Sequence, residues 1–139
     1  MSIWKRPFTL EGLNGLSANT LVEHLGISFT DYGDDYLCAR MPVDKRTVQP
    51  MGLLHGGASV SLAETIGSVA SVLCTKAEES SGVVGIEINA NHLRSVQKGH
   101  VTATCRPIRI GRKLHVWNIE IRDEQEKLVC ISRLTTMVL

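Results

Sequence analysis

Residues 52–65 read Gly-Leu-Leu-His-Gly-Gly-Ala-Ser-Val-Ser-Leu-Ala-Glu-Thr. A glycine pair follows a histidine, and Glu64 is the only charged residue between Leu62 and Leu73. Taking a carboxylate out of water is costly unless it is partnered. Glu64 therefore points to solvent, pairs with a lysine, or serves as a base or nucleophile. Thr65, Ser68 and Val69 share its side of a helix and would line whatever it faces. Gly56-Gly57 opens that helix. First-turn N–H groups lack intrahelical acceptors and carry the positive end of the dipole. Glycine lets a ligand approach them, which makes either an oxyanion site or a plain entry turn. His55 is a candidate base, orienter or structural donor. Gln49 offers a neutral donor and acceptor.

A second group lies further along. Asn89 and Asn91 are poor strand formers, which suggests hydrogen-bonding duties, with His92 and Arg94 following near a strand end. Arg109, Arg112 and Lys113 surround Gly111, as a solvated turn or as a clamp for an anionic group. No GxGxxG or Walker sequence occurs, so neither a dinucleotide fold nor a P-loop is supported.

Composition narrows the class. The net charge is +1, and the basic residues occur as isolated pairs such as Lys5-Arg6 and Lys45-Arg46. Binding of nucleic acid by phosphate neutralisation is not expected. No apolar run approaches a membrane span, and the N-terminal residues lack a signal-peptide core. Cys38, Cys74, Cys105 and Cys130 form no CxxC. They read as free, buried thiols in a reducing cytoplasm, without a metal site.

The elements that would position these residues follow from periodicity. The length of 139 residues suits one domain, 1–139. Residues 8–25 fit one or two short amphipathic helices, with Thr9 or Ser17 as caps and Gly26 as a stop. Ile27–Thr30 and Leu37–Met41 read as strands around a Tyr32–Asp35 turn. Residues 42–54 are irregular and long enough to suggest a functional loop. A helix runs from Gly56 to about Lys76, small-sided nearly all round and so expected to be wrapped by a sheet. Four strands follow. Val84, Ile86, Ile88 and Ala90 form one face of the first. The second stops near Pro107, and the others are Leu114–Arg122 and Leu128–Leu139. Short connections argue for a four-strand antiparallel meander. The layout is α+β, one curved sheet around one long helix.

Four strings, IWKR, MPVDKRTVQPMGLLHGGASVSLAETIGSVA, VVGIEINANHLR and SRLTT, span essentially the whole chain. Together they resemble the PaaI-like branch of hotdog-fold acyl-CoA thioesterases. Within that branch the likeness is to enzymes that hydrolyse 1,4-dihydroxy-2-naphthoyl-CoA in menaquinone synthesis. It extends to their paralogues that clear misacylated carrier protein in enterobactin synthesis. The resemblance implies a hotdog fold, paired into a homodimer or a dimer of dimers, with the active site at the subunit interface.

The resemblance implies that Glu64 attacks the thioester or activates water, and that the Gly56 N–H polarises the carbonyl. His55 and Gln49 would support that site, and Ser68 would place the water or the acyl group. Gly85, His92, Arg94, Ser95, Arg109, Gly111, Arg112 and Lys113 fall where such enzymes hold coenzyme A. Val69, Met51 and the first helix would shape the acyl pocket, Met51 standing where an aromatic residue is common. No cofactor is expected, coenzyme A being part of the substrate. The partner is an acyl-CoA or an acyl carrier protein, and the Asn89–His92 string leans to the former. A non-catalytic acyl-CoA-binding module and a hotdog hydratase are the alternatives. A hydratase pairs a histidine with a carboxylate, but here the glycines directly follow His55, which suits a thioesterase better.

Overall fold

The computed structural model describes residues 1–139. Two short helices open the chain, α1 (Leu10–Gly15) and α2 (Leu21–His24). Thr9 caps α1 by accepting the Gly12 N–H at 2.9 Å. Ser17 is not a cap; Thr20 holds that place before α2. Gly26, at φ +73°, ends the segment in a conformation that suits glycine. Strands β1 (Ser28–Tyr32) and β2 (Leu37–Pro42) form a hairpin. The irregular stretch then leads into α3 (Gly56–Leu73). After a 3-10 turn at Ala77–Glu79 come β3 (Val83–His92), β4 (His100–Ile110), β5 (Leu114–Arg122) and β6 (Leu128–Val138).

All six strands form one antiparallel sheet in the order β1-β2-β4-β5-β6-β3. The expected four-strand meander is therefore a three-strand one, β4-β5-β6. Both sides of β4 are already taken, by β2 and β5, so β3 pairs with the open side of β6 and becomes an edge. Nor does Pro107 stop β4. A bulge at Ile108 absorbs the missing N–H, and the strand runs on to Ile110. A second bulge, at Ile86, breaks the expected single face of β3. Gly85 and Ile88 pair with Thr136 and Leu134 and face inward, while Val84 and Ile86 stay exposed.

Helix α3 lies across the inner face and packs against β2 through β6. Ser59, Leu62, Ala63, Ile66, Gly67 and Ala70 form its buried stripe, at the spacing of one helical face. The helix can sit this close because Gly67 has no side chain: a Cβ there would lie 2.5 Å from Leu134 Cδ2. The wrapping is one-sided, contrary to expectation. Ser61, Glu64, Thr65, Ser68, Val69 and Val72 form a second stripe that is only half-buried. Small side chains all round do not separate a doubly buried helix from one with a reserved face.

α3 ends at Leu73 rather than near Lys76. The Cys74 N–H closes the last turn on the Ala70 and Ser71 carbonyls. Arg6 donates from Nε to the Thr75 carbonyl at 2.7 Å and from Nη2 to the Thr75 hydroxyl at 2.8 Å, a cation at a helix C-terminus. Inside the core, Trp117 Nε1 donates to Ser71 Oγ at 2.6 Å, and Ser71 Oγ lies 2.7 Å from Thr136 Oγ1. This buried chain leaves each member satisfied. The four thiols are free; Cys74, Cys105 and Cys130 are buried and Cys38 is half-buried. Burial pushes Cys74 up to about 12 and raises the other three, so none is a thiolate near neutral pH. No helix is long and apolar enough to cross a membrane.

Candidate active site

The loop before α3 is built to hold its first turn. The Gln49 and Leu53 backbones bond across a turn closed by Gly52, whose φ is +79°. The Leu54 N–H donates to the Val96 carbonyl and the His55 N–H to the Thr47 carbonyl, both at 2.8 Å. His55 is thereby fixed as the N-cap, and its Nδ1 accepts the Gly57 N–H at 2.8 Å. An accepting Nδ1 puts the ring proton on Nε2. His55 is thus an orienter that presents an N–H donor, and its Nδ1 is not free to act as a base.

The same bonds sort the first-turn donors. The N–H groups of Ala58 and Ser59 go to the His55 carbonyl, and that of Gly57 goes to the His55 ring. Only the Gly56 N–H makes no hydrogen bond within the chain. A Cβ on Gly56 would lie 2.7 Å from His92 Nε2. Glycine is needed here for close approach, and the neighbour in the chain is a histidine ring rather than a ligand. The Gly56 N–H opens near a hollow of about 400 Å³ bounded by Gln49, Gly56, Ser59, His92, Arg94 and Ser95. Gln49 Oε1 accepts the Met51 N–H, leaving the amide NH₂ uncommitted.

Glu64 sits in a different depression, of about 530 Å³, with Ser61, Thr65, Ser68 and Val69 from α3 and Leu21 and Val22 from α2. It is half-buried and has neither an ion pair nor a hydrogen bond in the chain. Across from it stands Gly85: a Cβ there would lie 2.6 Å from Glu64 Oε2. The carboxylate therefore points between α3 and β3, not into open solvent and not at a lysine.

A family model described as "Thioesterase superfamily" matches residues 51–130. The chain belongs to the thioesterase superfamily. It is 57% identical over 137 residues to the 1,4-dihydroxy-2-naphthoyl-CoA hydrolase of Escherichia coli, covering 99% of each. It is 56% identical over 137 residues to the proofreading thioesterase EntH of Cronobacter turicensis, covering 99% of this chain and 98% of that protein. The crystal structure of a Haemophilus influenzae thioesterase superposes with a TM-score of 0.95 at 55% identity, covering 99% of this chain and 94% of that one. The hotdog fold and the thioester hydrolase class expected from the sequence are both borne out.

Within this thioesterase the expected site residues fall into three places. Gln49, His55, Gly56, His92, Arg94 and Ser95 gather at the head of α3. Glu64, Thr65, Ser68, Val69 and Gly85 gather midway along it. Arg109, Gly111, Arg112 and Lys113 lie apart, at the β4–β5 hairpin. Arg112 and Lys113 share a hollow of about 500 Å³ with Lys5 and Lys76, two cations the sequence did not single out. They are distant in sequence and carry no pattern, so only the packing of the chain start against the end of α3 joins them. Gly111 is required by the hairpin itself, since a Cβ would meet the Leu114 carbonyl oxygen at 2.8 Å. Asn89 and Asn91 face away from the site; Asn89 bonds the Glu87 carboxylate at 3.0 Å on the exposed side. Met51 is 78% exposed in the loop before α3 and lines neither of the hollows beside α2 and α3 in the single chain.

Proposed function

We propose that the protein hydrolyses acyl-CoA thioesters, with the Glu64 carboxylate as base or nucleophile and the Gly56 N–H as oxyanion donor. The reading is carried by one observation. α3 bears an unpaired carboxylate and an uncommitted first-turn N–H, each opening into a hollow. The thioester carbonyl oxygen gains negative charge on attack, and a fixed donor there is worth about 10²–10³ in rate. Acting as a base, Glu64 takes a proton from water as the water oxygen bonds to the carbonyl carbon. The C–S bond then breaks, and the proton passes to the leaving thiolate. Acting as a nucleophile, the carboxylate bonds to that carbon itself, and water then cleaves the anhydride. Label found in Glu64 after turnover in ¹⁸O-water marks the anhydride route with water attacking the Glu64 carbonyl carbon, since general-base attack puts none there.

The two groups are eight residues apart, about 12 Å along the helix axis. That is too far for both to act on one carbonyl, where reacting atoms lie about 3–3.5 Å apart. A second copy running antiparallel would bring its Glu64 to the first copy's Gly56. The exposed β3 edge, with Val84 43% and Ile86 49% exposed, supports a homodimer or dimer of dimers with the site between subunits. Arg94, Arg109, Arg112 and Lys113 carry no ion pair to an acid and would hold coenzyme A phosphates. The likeness to the Escherichia coli hydrolase supports 1,4-dihydroxy-2-naphthoyl-CoA, and so menaquinone biosynthesis, as the context. The EntH likeness supports misacylated carrier protein as the second substrate class. Free thiols suit a cytoplasmic setting.

The test is Glu64→Gln, assayed for free thiol release from both substrate classes. Hydrolysis should fall by about 10²–10⁴-fold. The unfolding midpoint should stay put, because Glu64 makes no bond that the change would break. Undiminished turnover would refute the assignment.

A further inference from the structure

The depression that holds Glu64 does not end there. It shares Val22, Thr65, Ser68 and Val69 with a chamber of about 580 Å³ that continues along α3. That volume is in the range of small-molecule sites, about 300–1,000 Å³. Val69, Val72 and Leu73 of α3 form the floor. Phe8, Leu13 and Leu16 of the chain start and α1 form the roof. Leu16 is 80% exposed at the mouth of the chamber and Leu21 is 61% exposed beside Glu64. Large apolar side chains left in water along one groove mark a place that something apolar covers.

The roof is held in place. Phe8 packs on Tyr32 at 4.6 Å and on Trp4 at 5.7 Å between ring centres. Trp4 Nε1 donates to the Gly33 carbonyl at 2.8 Å. The Lys5 N–H donates to the Leu73 carbonyl at 2.7 Å, and Arg6 clasps Thr75. Asn14 exchanges two hydrogen bonds with the Phe29 backbone, at 2.7 and 3.1 Å. The IWKR string thus has a physical role, since Trp4, Lys5 and Arg6 pin the roof to the β1–β2 hairpin and to the end of α3.

Val69 and the first helix line this chamber, as the acyl pocket expected from the sequence would be lined, and we infer that Val72 is the length gauge for the acyl group it receives. The inference rests on the thioesterase reading of Glu64. A thioester whose carbonyl lies at Glu64 can send its acyl group past Thr65 and Ser68, whose hydroxyls have no partner in the chain, toward Val72. From Thr65 to Val72 is seven residues, roughly 10 Å along the helix. The matching substrate class is an apolar acyl group of that reach, a medium linear chain or a fused aromatic ring. Short acyl groups would leave most of the chamber empty and forgo its contacts. Val72 is half-buried with its side chain on the chamber wall, so a larger residue there takes up the far end without entering the sheet-facing core.

The experiment compares kcat/KM for propionyl-, decanoyl- and 2-naphthoyl-CoA in the wild type, Val72→Phe and Val72→Ala. Val72→Phe should lower the value for the two larger acyl groups by about tenfold or more and leave propionyl-CoA within about twofold. Val72→Ala should shift preference the other way, toward the two larger acyl groups. The ratio of linear to fused-ring activity in the wild type says which of the two shapes the chamber favours. Equal loss on every substrate, or no change on any, in folded variants overturns the inference. Should the wild type hydrolyse none of these esters, the thioesterase reading fails by itself, and the chamber is judged by calorimetry with the non-hydrolysable S-decyl-CoA and S-ethyl-CoA. Weakened binding of the decyl ligand alone in Val72→Phe upholds the chamber; equal affinities overturn it.

Discussion

The two sides of α3 use the same small vocabulary of Ala, Ser, Val, Leu and Gly to opposite ends. Toward the sheet, Leu62 and Ile66 are fully buried, Gly67 admits Leu134, and Ser71 completes a bonded chain with Trp117 and Thr136. The Ser71 hydroxyl there is bonded on both sides. On the other side Glu64, Thr65 and Ser68 have no partner in the chain, and the side chains border open hollows. One side stabilises the fold and the other holds unsatisfied groups where a substrate can meet them. Groups that are to act on a ligand must be left unpaired by their own chain, and the buried stripe offsets the cost.

That division can be broken from either side. The largest effect belongs to the buried stripe: Ile66→Ala removes a fully buried side chain against the sheet and should cost about 2–5 kcal/mol. Urea unfolding measures it, while activity per folded molecule should hold. A comparable loss of specific activity would mean that the two sides are coupled. At the helix head, Gly56→Ala places a methyl 2.7 Å from His92 Nε2. The ring must move and the N–H is shielded, so kcat should fall about 10²-fold with little change in stability. Loss of stability without loss of rate would remove Gly56 from the site.

The smallest effect concerns the core's one imperfect polar group. His115 is buried, its Nδ1 has no partner, and burial holds its pKa below the ordinary 6.5. A depressed histidine pKa means that the fold favours the neutral ring. Its contribution is complete above 6.5 and is lost as the pH falls through 6.5 toward the lower folded value. Stability measured from about pH 8 to pH 5 should decline on the acid side more in the wild type than in His115→Gln. Identical curves would contradict this.

Much of this was legible in the sequence. The helix start at Gly56, the Thr9 cap, the alternation of Leu37, Ala39 and Met41, and the inward set Trp117, Ile119 and Ile121 all followed from local rules. The misreadings of the sheet share one cause. The bulges at Ile86 and Ile108 and the pairing of β3 with β6 depend on which strand edges remain open, and that is decided by strands far away in sequence. Local chemistry likewise suggested that His55 was a base candidate, until its hydrogen bond to Gly57 fixed its tautomer.

By itself, then, the sequence determined which residues could do chemistry and which helix would carry them, because spacing on a helix is a local property. The tertiary structure decided the rest. It turned Glu64 toward Gly85, set His92 against Gly56, brought Lys5 and Lys76 to Arg112 and Lys113, and roofed the chamber with the chain's first helix. Each of these contacts joins residues far apart in the chain, and only the closing of the sheet around one side of α3 brings them together.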